Sequence, residues 1–307
     1  MMIKIPPYLK KGDTIGITCP AGYMATEKAQ VCIDTLQQWG FDVMVGHTLG
    51  SNSTTYFSGT DQERLDELQA MLDDDSINAI LFGRGGYGMG RLIDRIDFSR
   101  FKRKPKWLIG YSDITVMHCH VNRRLKVATL HSPMAAAFNN GEKDNEFIGS
   151  LHKAIIGKTA HYKCAGDKLN KPGTATGELI GGNLSIIAHL IGTPSEPDTK
   201  NKILFIEDIG EQIYSTDRML YQLKRSGKLD HLAGLIIGRF SDIKDTERPF
   251  GQTIEELIYE IVKEYEYPVC FNFPVSHERE NYALKVGCIH QLKITKKKVQ
   301  LIEQELI

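Results

Sequence analysis

One serine of this sequence stands where a catalytic nucleophile is expected. Ser112 lies in Gly110-Tyr-Ser-Asp113, after the apolar segment 106–109, which predicts a strand, and before a helix predicted over 113–123. A serine on such a sharp turn projects its hydroxyl from the sheet, and backbone N–H groups at the helix start can stabilise an oxyanion. Ile114 stands where the usual hydrolase turn has its second glycine. A simple helix cap is therefore the alternative interpretation of Ser112, and the motif alone leaves both open.

A glycine-rich segment, Gly83-Arg-Gly-Gly-Tyr-Gly-Met-Gly90, follows another predicted strand and precedes a predicted helix. It satisfies the Gly-x-Gly-x-x-Gly dinucleotide fingerprint, but no acidic residue about 20 positions later lies at a convincing strand end. We favour a loop whose bare backbone approaches a reacting centre closely, as glycine permits, over a purely structural turn. One N–H of this loop would then complete an oxyanion hole with the N–H of Asp113.

A serine nucleophile needs a base, and the base needs a carboxylate that orients it. His277 is the candidate base, because it lies in a loop-like segment directly after a predicted strand. Glu207 and Asp208 end the apolar strand 203–206, and strand ends are where such sheets bind ligands. The two acids would point in opposite directions if the strand continues, so we expect at most one to orient the histidine. Spacing does not say which one.

Three other histidines were considered for chemistry. His118 and His120 flank Cys119 in the helix predicted after Ser112. Residues two apart on a helix do not share a face, so this run predicts a structural role and no metal site. His131 ends a predicted strand and is a candidate supporting residue of the site.

The segments that must position these residues alternate between strand and helix in the first half of the chain. Strands separated by helices indicate a parallel sheet with helices on both faces. The pattern weakens in a polar stretch, 141–172, which we interpret as a linker between an N-terminal domain, 1–140, and a C-terminal domain, 173–307. The predicted fold class is α/β, with a Rossmann-like parallel-sheet domain followed by a smaller α/β or β-rich domain. The predicted strands are 14–18, 41–45, 78–82, 106–109, 127–130, 203–206, 235–237 and 269–272. The predicted helices are 26–39, one that begins at 60, 113–123, 184–191, 216–226 and 254–265.

Composition excludes several classes of function. The 307 residues carry 38 Lys+Arg and 38 Asp+Glu, a balance that predicts neither a nucleic-acid nor an anionic-membrane partner. The six cysteines form no Cys-x-x-Cys pair, so we expect no disulfide framework and no structural zinc site. The N-terminal residues lack a signal core, and no apolar run reaches the ~18 residues that span a bilayer. Together these features predict a cytoplasmic protein.

Short motifs stand in a characteristic order along nearly the whole chain. They are Ser58-Gly-Thr-Asp-Gln-Glu-Arg64, Arg84-Gly-Gly-Tyr-Gly88 with Arg91, Gly110-Tyr-Ser-Asp-Ile-Thr115, His131-Ser-Pro-Met134, Gly181-Gly-Asn183, Glu207-Asp208 with Glu211 and Arg218, and Ser276-His277 with Asn281 and Gly287. In this order the motifs resemble those of the LD-carboxypeptidase family, which includes muramoyltetrapeptide carboxypeptidases and microcin C immunity peptidases. Several motifs in the right order are far more specific than any one of them.

The resemblance implies a Ser-Glu-His triad made of Ser112, Glu207 and His277, with an oxyanion hole from the N–H groups of Gly86 and Asp113. It further implies no metal or cofactor, an active site where the two domains meet, and a homodimer. The implied reaction is hydrolysis of an L,D peptide bond in a murein tetrapeptide, with release of terminal D-alanine during cell-wall recycling. One alternative is a microcin C immunity-type peptidase that cleaves peptidyl or aminoacyl adenylates. A non-catalytic nucleotide-binding protein is the other.

The sequence departs from the family pattern beside the expected base. Ser276 and Lys285 stand where the family usually has glycine and proline, and Ser132 replaces a common glycine. No member of the expected triad is lost, but the loop around His277 is expected to differ in shape. A carboxypeptidase also needs a group that binds the terminal carboxylate of its substrate. Arg84 and Arg239 are candidates by charge alone.

Overall fold

The structure is a computed structural model that describes residues 3–139 and 145–304. The chain divides into two compact units. The first consists of Met1–Lys158 and Tyr282–Lys285, and the second of Thr159–Asn281 and Val286–Ile307. The chain therefore returns briefly to the first unit before it completes the second.

Strands and helices alternate along most of the chain, as the apolar periodicity predicts. The strands are β1 (Thr14–Thr18), β2 (Asp42–Val45), β3 (Ile77–Phe82), β4 (Trp107–Gly110), β5 (Thr129–His131), β6 (His161–Ala165), β7 (Gly173–Asn183), β8 (Ile203–Ile209), β9 (Gly234–Ser241), β10 (Val269–Cys270), β11 (Leu284–Val286), β12 (Ile289–Ile294) and β13 (Lys298–Glu303). The α-helices are α1 (Gln30–Gln38), α2 (Asp61–Asp73), α3 (Ser99–Arg103), α4 (Thr115–His120), α5 (Glu146–Ile155), α6 (Leu184–His189), α7 (Ile213–Arg225) and α8 (Ile254–Val262).

The first sheet has the strand order β11-β5-β4-β3-β1-β2. Pairing is parallel from β2 through β1, β3 and β4 to β5. Its central strands are buried along almost their whole length, which is why they are continuous apolar runs and not alternating ones. The carboxyl ends of β3 and β4 lead into the glycine-rich segment and into Ser112.

The second sheet has the order β10-β9-β8-β7-β12-β13-β6. Strands β7 to β10 pair in parallel, and β7, β12, β13 and β6 pair antiparallel. Helices α6, α7 and α8 bury their apolar faces on the parallel part, where Leu220, Leu223 and Ile258 join a continuous core. The expected α/β class, with a parallel-sheet first domain followed by a smaller α/β or β-rich domain, is confirmed, and the sheet of the second domain is mixed.

Three local expectations differ from the structure. The glycine-rich segment leads into two short 3₁₀ turns, Met89–Arg91 and Ile93–Arg95, and not into an α-helix. The stretch expected as a linker, 141–172, contains α5 and β6, and the units divide between Lys158 and Thr159. The part of that stretch at 141–144 lies outside the described residues. Helix α5 does bury apolar side chains, among them Phe147 and Leu151, but glycine, lysine and histidine between them mask the pattern.

Candidate active site

Ser112 occupies a strained turn at the end of β4. Its backbone φ is +61°, in the left-handed region that non-glycine residues seldom adopt, while Tyr111 before it is extended. Gly110 is required before the turn, because an added Cβ would lie 3.1 Å from both Ile114 and Phe82. Ile114, the departure from the usual motif, is fully buried beneath the turn. The N-cap positions of the 3₁₀ turn 112–114 and of α4 are occupied by Tyr111 and Ile114 and not by Ser112, so the structure gives no support to the helix-cap interpretation.

Two buried groups fix the end of β4 that carries this turn. The carbonyl of Gly110 accepts a hydrogen bond from Ser132 N, at 3.1 Å, and lies 2.8 Å from His118 Nε2. Burial lowers the pKa of His118 to about 4, so the ring is neutral and carries its proton on the nitrogen that faces the carbonyl. His118 is thus a structural anchor, as its position in the His-Cys-His run suggests.

The glycine-rich segment lies directly against Ser112. A Cβ added to Gly85 would lie 3.0 Å from Ser112 Cβ, 3.2 Å from its Oγ and 3.4 Å from Asp113 N. Gly86 follows with φ +97° and Gly88 with φ +153°, conformations that favour glycine. The exposed Gly86 N–H donates to no acceptor within 3–139 and 145–304. Glycine is needed here for close approach, which agrees with the interpretation that we favoured over a nucleotide site.

The side chain of Asp113 ties this loop to the turn. Its Oδ2 accepts the Met89 N–H at 2.8 Å, and the carboxyl group is 2% exposed. Burial raises the pKa of Asp113 to about 6, although the hydrogen bonds from Met89 and Gly88 and the charge of Arg64 oppose the shift. Sequence reasoning assigned a role only to the backbone of Asp113 and missed that of its side chain.

Arg64 supports the same loop from beneath. It is fully buried, donates to the carbonyls of Pro20 and Gly59, and pairs with Asp61. Its Nη1 would lie 2.8 Å from a Cβ added to Gly88. Helix α2, which starts in a capping box formed by Thr60 and Glu63, places this guanidinium. The motif Ser58–Arg64 is therefore a support for the glycine-rich segment.

In the second unit, Glu207 and His277 form a buried pair. Nδ1 of His277 lies 2.6 Å from Oε2 of Glu207, whose side chain is fully buried on β8. Glu207 lies at a register shift between β8 and β9. Gly238 of β9 leaves room for both Val275 and Glu207, since a Cβ there would overlap the Val275 carbonyl oxygen and lie 3.0 Å from Glu207 Cβ. Burial alone would lower the pKa of His277, but the charge and hydrogen bond of Glu207 outweigh it, and the net shift is upward.

Asp208, the other acid left open by the sequence, faces away from this pair. Its carboxylate accepts hydrogen bonds from Asn183 Nδ2 at 2.8 Å and from Ser185 N at 2.9 Å. Burial and the neighbouring Glu207 charge raise the pKa of Asp208 to about 7. Asp208 thus ties the end of β7 and the start of α6 to β8, while Glu207 contacts the histidine.

The comparisons with known proteins match both halves of this chain. Residues 15–132 match the LD-carboxypeptidase N-terminal domain and residues 176–292 the LD-carboxypeptidase C-terminal domain. A relative in Bacillus subtilis (strain 168), named a probable murein peptide carboxypeptidase, is 35% identical over 285 residues, which cover 92% of this chain and 89% of the relative. The chain belongs to the LD-carboxypeptidase family. It is therefore a peptidase of the serine class.

Further relatives agree with this assignment. The murein tetrapeptide carboxypeptidase of Pseudomonas aeruginosa is 28% identical over 282 residues, 89% of this chain and 91% of that protein. The crystal structure of muramoyltetrapeptide carboxypeptidase from Oxalobacter formigenes superimposes with a TM-score of 0.87 at 27% identity, over 95% of this chain and 99% of that one. The microcin C7 self-immunity protein MccF, in complex with aspartyl sulfamoyl adenosine, shares the fold with a TM-score of 0.87 at 23% identity over the full length of both chains.

In this member of the family, the expected site residues fall into two groups. Ser112, Gly86 and Asp113 lie together in the first unit, and Glu207 and His277 lie together in the second. His131 is fully buried, with its ring 5.9 Å from that of Tyr111. No cluster of His, Cys, Asp and Glu able to hold a metal ion occurs in the described part of the chain. In the same part, no helix is long and apolar enough to cross a bilayer.

Arg84 and Arg239, the two candidates for binding the substrate carboxylate, both contact other residues of this chain. Arg84 Nη1 donates to the Tyr23 carbonyl at 2.9 Å. Arg239 forms ion pairs with Glu278 and Glu280, which lie one and three residues after His277 in the sequence. Sequence reasoning missed these pairs, although two glutamates so close to the expected base were a visible signal.

Proposed function

We propose that this protein is a serine LD-carboxypeptidase that releases terminal D-alanine from a murein tetrapeptide. The observation that carries the proposal is the strained Ser112 turn packed against the glycine-rich segment, an arrangement suited to a nucleophile beside an oxyanion hole. Relatives named murein peptide and murein tetrapeptide carboxypeptidases support the substrate class. Recycling of wall fragments is a cytoplasmic task, and the family resemblance supports a homodimer.

In the proposed mechanism, Ser112 is the nucleophile and His277 the base. Ser112 Oγ attacks the scissile carbonyl carbon while its proton passes to His277 Nε2. The proton then passes to the departing nitrogen of D-alanine, and the C–N bond breaks to leave an acyl-Ser112 ester. Water attacks this ester with His277 again as base, and the shortened peptide leaves as Ser112 recovers its proton.

The charge of Glu207 and the proposed N–H donors suit this mechanism. Glu207 accepts the Nδ1 proton of His277 at 2.6 Å, which leaves Nε2 as the basic nitrogen and stabilises the imidazolium formed in each step. The N–H groups of Gly86 and Asp113 are proposed to bind the oxyanion. Preorganised donors of this kind usually supply the largest single share of the rate enhancement.

The second candidate is a peptidase that acts on aminoacyl or peptidyl adenylates. One observation favours it: Tyr87, in the glycine-rich segment, and Tyr56, beside it, are 52% and 54% exposed, and the Tyr56 hydroxyl would lie 2.6 Å from a Cβ on Gly86. Exposed aromatic rings beside a reacting centre can stack on a nucleobase. The fold shared with the microcin C7 self-immunity protein agrees with this reading.

The test compares three substrates with the purified protein. The first is L-Ala-γ-D-Glu-meso-diaminopimelate-D-Ala, the second is the same peptide with terminal L-Ala, and the third is an aminoacyl adenylate. We expect release of D-alanine from the first and little turnover of the other two. Cleavage of the adenylate alone would replace the proposal with the second candidate.

A further inference from the structure

The loop that carries His277 is fastened to β9 by a cluster of polar side chains. The cluster, called here the Arg239 clasp, consists of Arg239 and Ser241 of β9 and Ser276, Glu278 and Glu280 of the loop. All five residues belong to the second unit, as do Glu207 and His277. No metal, cofactor or substrate is needed to explain its contacts.

Arg239 contacts the loop both before and after His277. Its Nη1 donates to Glu278 Oε2 at 3.1 Å and its Nη2 donates to Glu280 Oε2. The backbone N–H of Arg239 donates to the Val275 carbonyl at 3.1 Å. Ser241 Oγ adds a hydrogen bond to the other oxygen of Glu278, also at 3.1 Å. One strand residue thus contacts the loop two residues before the histidine, one after it and three after it.

Ser276, where the family usually has glycine, closes the loop on itself. Its buried hydroxyl accepts the Glu278 N–H at 3.0 Å and donates to the Glu280 carbonyl at 2.9 Å. These two hydrogen bonds hold both glutamates where the guanidinium can reach them. The departure from the family pattern beside His277 is thereby linked to the ion pairs with Arg239.

We propose that Arg239 is a positioning residue that holds the loop so that His277 stays hydrogen-bonded to Glu207. The inference rests on the proposed function, in which His277 is the base. The ring of His277 contacts Glu207 of β8, and the residues on both sides of the histidine are attached to β9 through the clasp and the Val275 carbonyl. Because one guanidinium spans two carboxylates, a shorter or uncharged side chain leaves the loop with fewer contacts.

The clasp also argues against Arg239 as the group that binds the substrate carboxylate. Both terminal nitrogens of the guanidinium already contact glutamate oxygens. Two carboxylates against one guanidinium leave a negative balance, which repels an anionic chain end. Removing Arg239 should therefore change the rate of the chemical step more than the binding of substrate.

The test uses Arg239→Gln, Arg239→Lys and the double change Glu278→Gln with Glu280→Gln. Arg225→Gln, at the exposed C-terminal end of α7, is the matched control. The three charged residues of the clasp are partly exposed, with side-chain exposures of 37%, 50% and 41% for Arg239, Glu278 and Glu280, so the variants are expected to fold. Circular dichroism and the thermal midpoint check this.

The first readout is steady-state kinetics. We expect Arg239→Gln to lower kcat by about 10-fold or more with KM within about twofold, since small displacements of a catalytic group are costly. Arg239→Lys should recover part of the loss, and the Glu278/Glu280 change should add nothing further in the Arg239→Gln background. A rise in KM that disappears for a substrate with an amidated C-terminus would instead make Arg239 the carboxylate-binding group.

The second readout is the NMR titration of His277, which needs no substrate. Glu207 from β8 contacts the ring, and the charge of Asp208, which faces away from it, also raises the pKa of His277. The flanking charges are Arg239 from β9 and Glu278 and Glu280 from the loop itself. In Arg239→Gln the looser contact with Glu207 should lower the pKa of His277, whereas the loss of the Arg239 charge alone would raise it, so a fall reports the loosened contact. If Arg239→Gln changes neither the titration of His277 nor kcat, Arg239 does not position His277. The two failures can be told apart. If the wild type releases D-alanine and Ser112→Ala does not, the proposed function stands even when the Arg239 variants have no effect. If the wild type releases no D-alanine, the proposed function itself fails.

Discussion

At the scale of single residues, the conformation of Ser112 depends on what surrounds it more than on the serine itself. A left-handed φ at a non-glycine residue persists only where neighbouring contacts hold it. Here the buried Ile114, the anchored Gly110 carbonyl and the adjacent Gly85 do so. Substitutions that leave Ser112 in place should therefore still affect its reactivity.

Replacing Gly85 by alanine should displace the nucleophile. The new Cβ would lie 3.0 Å from Ser112 Cβ, closer than carbon atoms pack, so one of the two groups must move. We expect kcat to fall by about 10-fold or more with the fold retained. The matched control is Gly149→Ala in α5, where an added Cβ meets nothing within 4 Å and activity should not change. Equal kcat values for the two variants and the wild type would contradict the account.

Glu207→Gln should change both the rate and its pH dependence. Without the carboxylate, burial dominates and the pKa of His277 falls below its raised value. The base then loses its proton at lower pH, so the acid limb of the kcat/KM profile should move to lower pH. The plateau should fall by roughly 10³- to 10⁴-fold, as expected when an orienting carboxylate is lost. A limb that stays in place would show that His277 is not the titrating base.

At the scale of elements, the glycine-rich segment and the turn behave as one piece because of Asp113. Asp113→Ala leaves the buried Met89 N–H without its acceptor, at a cost of about 1–3 kcal/mol in the free energy of unfolding. The loop should also loosen, and kcat should fall by about 10-fold to 100-fold. Asp97→Ala is the control, because Asp97 accepts the Ser99 N–H at the same 2.8 Å but on the surface. If both variants have equal kcat, the side chain of Asp113 does not position the loop.

The sequence predicts these elements unevenly, for physical reasons. Apolar runs such as those of β3 and β8 are easy to recognise because both faces of a parallel strand are buried. The eleven-residue β7 was not predicted as a strand, because it contains polar and glycine residues. Its first half pairs antiparallel with β12, and its second half, with two glycines, packs closely against β8. An α-helix was expected after the glycine-rich segment, and that was wrong because Gly88, with φ +153°, leaves only 3₁₀ turns.

The candidate site shows the same contrast. Ser112 and His277 were candidates from residue type and position after predicted strands, and only the family resemblance chose Glu207 over Asp208. The contacts that hold these residues were not predicted, since the Arg239 pairs and the Asp113–Met89 hydrogen bond join residues that lie 24 to 41 positions apart. Such pairings follow from tertiary structure: the two glutamates beside His277 are visible in the sequence, but no local pattern identifies Arg239 as their partner.

At the scale of the whole molecule, the chain enters the first unit twice. Tyr282 donates to Glu146 at 2.9 Å, the Ala283 N–H donates to Ser150 at 2.9 Å, and β11 adds the edge strand next to β5. A chain that ends at Lys158 lacks these contacts and exposes β5 as an edge. We expect it to unfold at lower urea concentration than the same chain with residues 282–285 appended through a flexible linker. Identical midpoints would show that the returning segment contributes nothing to the first unit.

The most direct measurement of the central claim is D-alanine release by wild-type protein and by Ser112→Ala, with equal thermal midpoints as the check on folding. The account predicts release from the murein tetrapeptide by the wild type and a loss of about 10⁴-fold or more in the variant, because the acyl-enzyme cannot form. Activity of the variant near that of the wild type would contradict it.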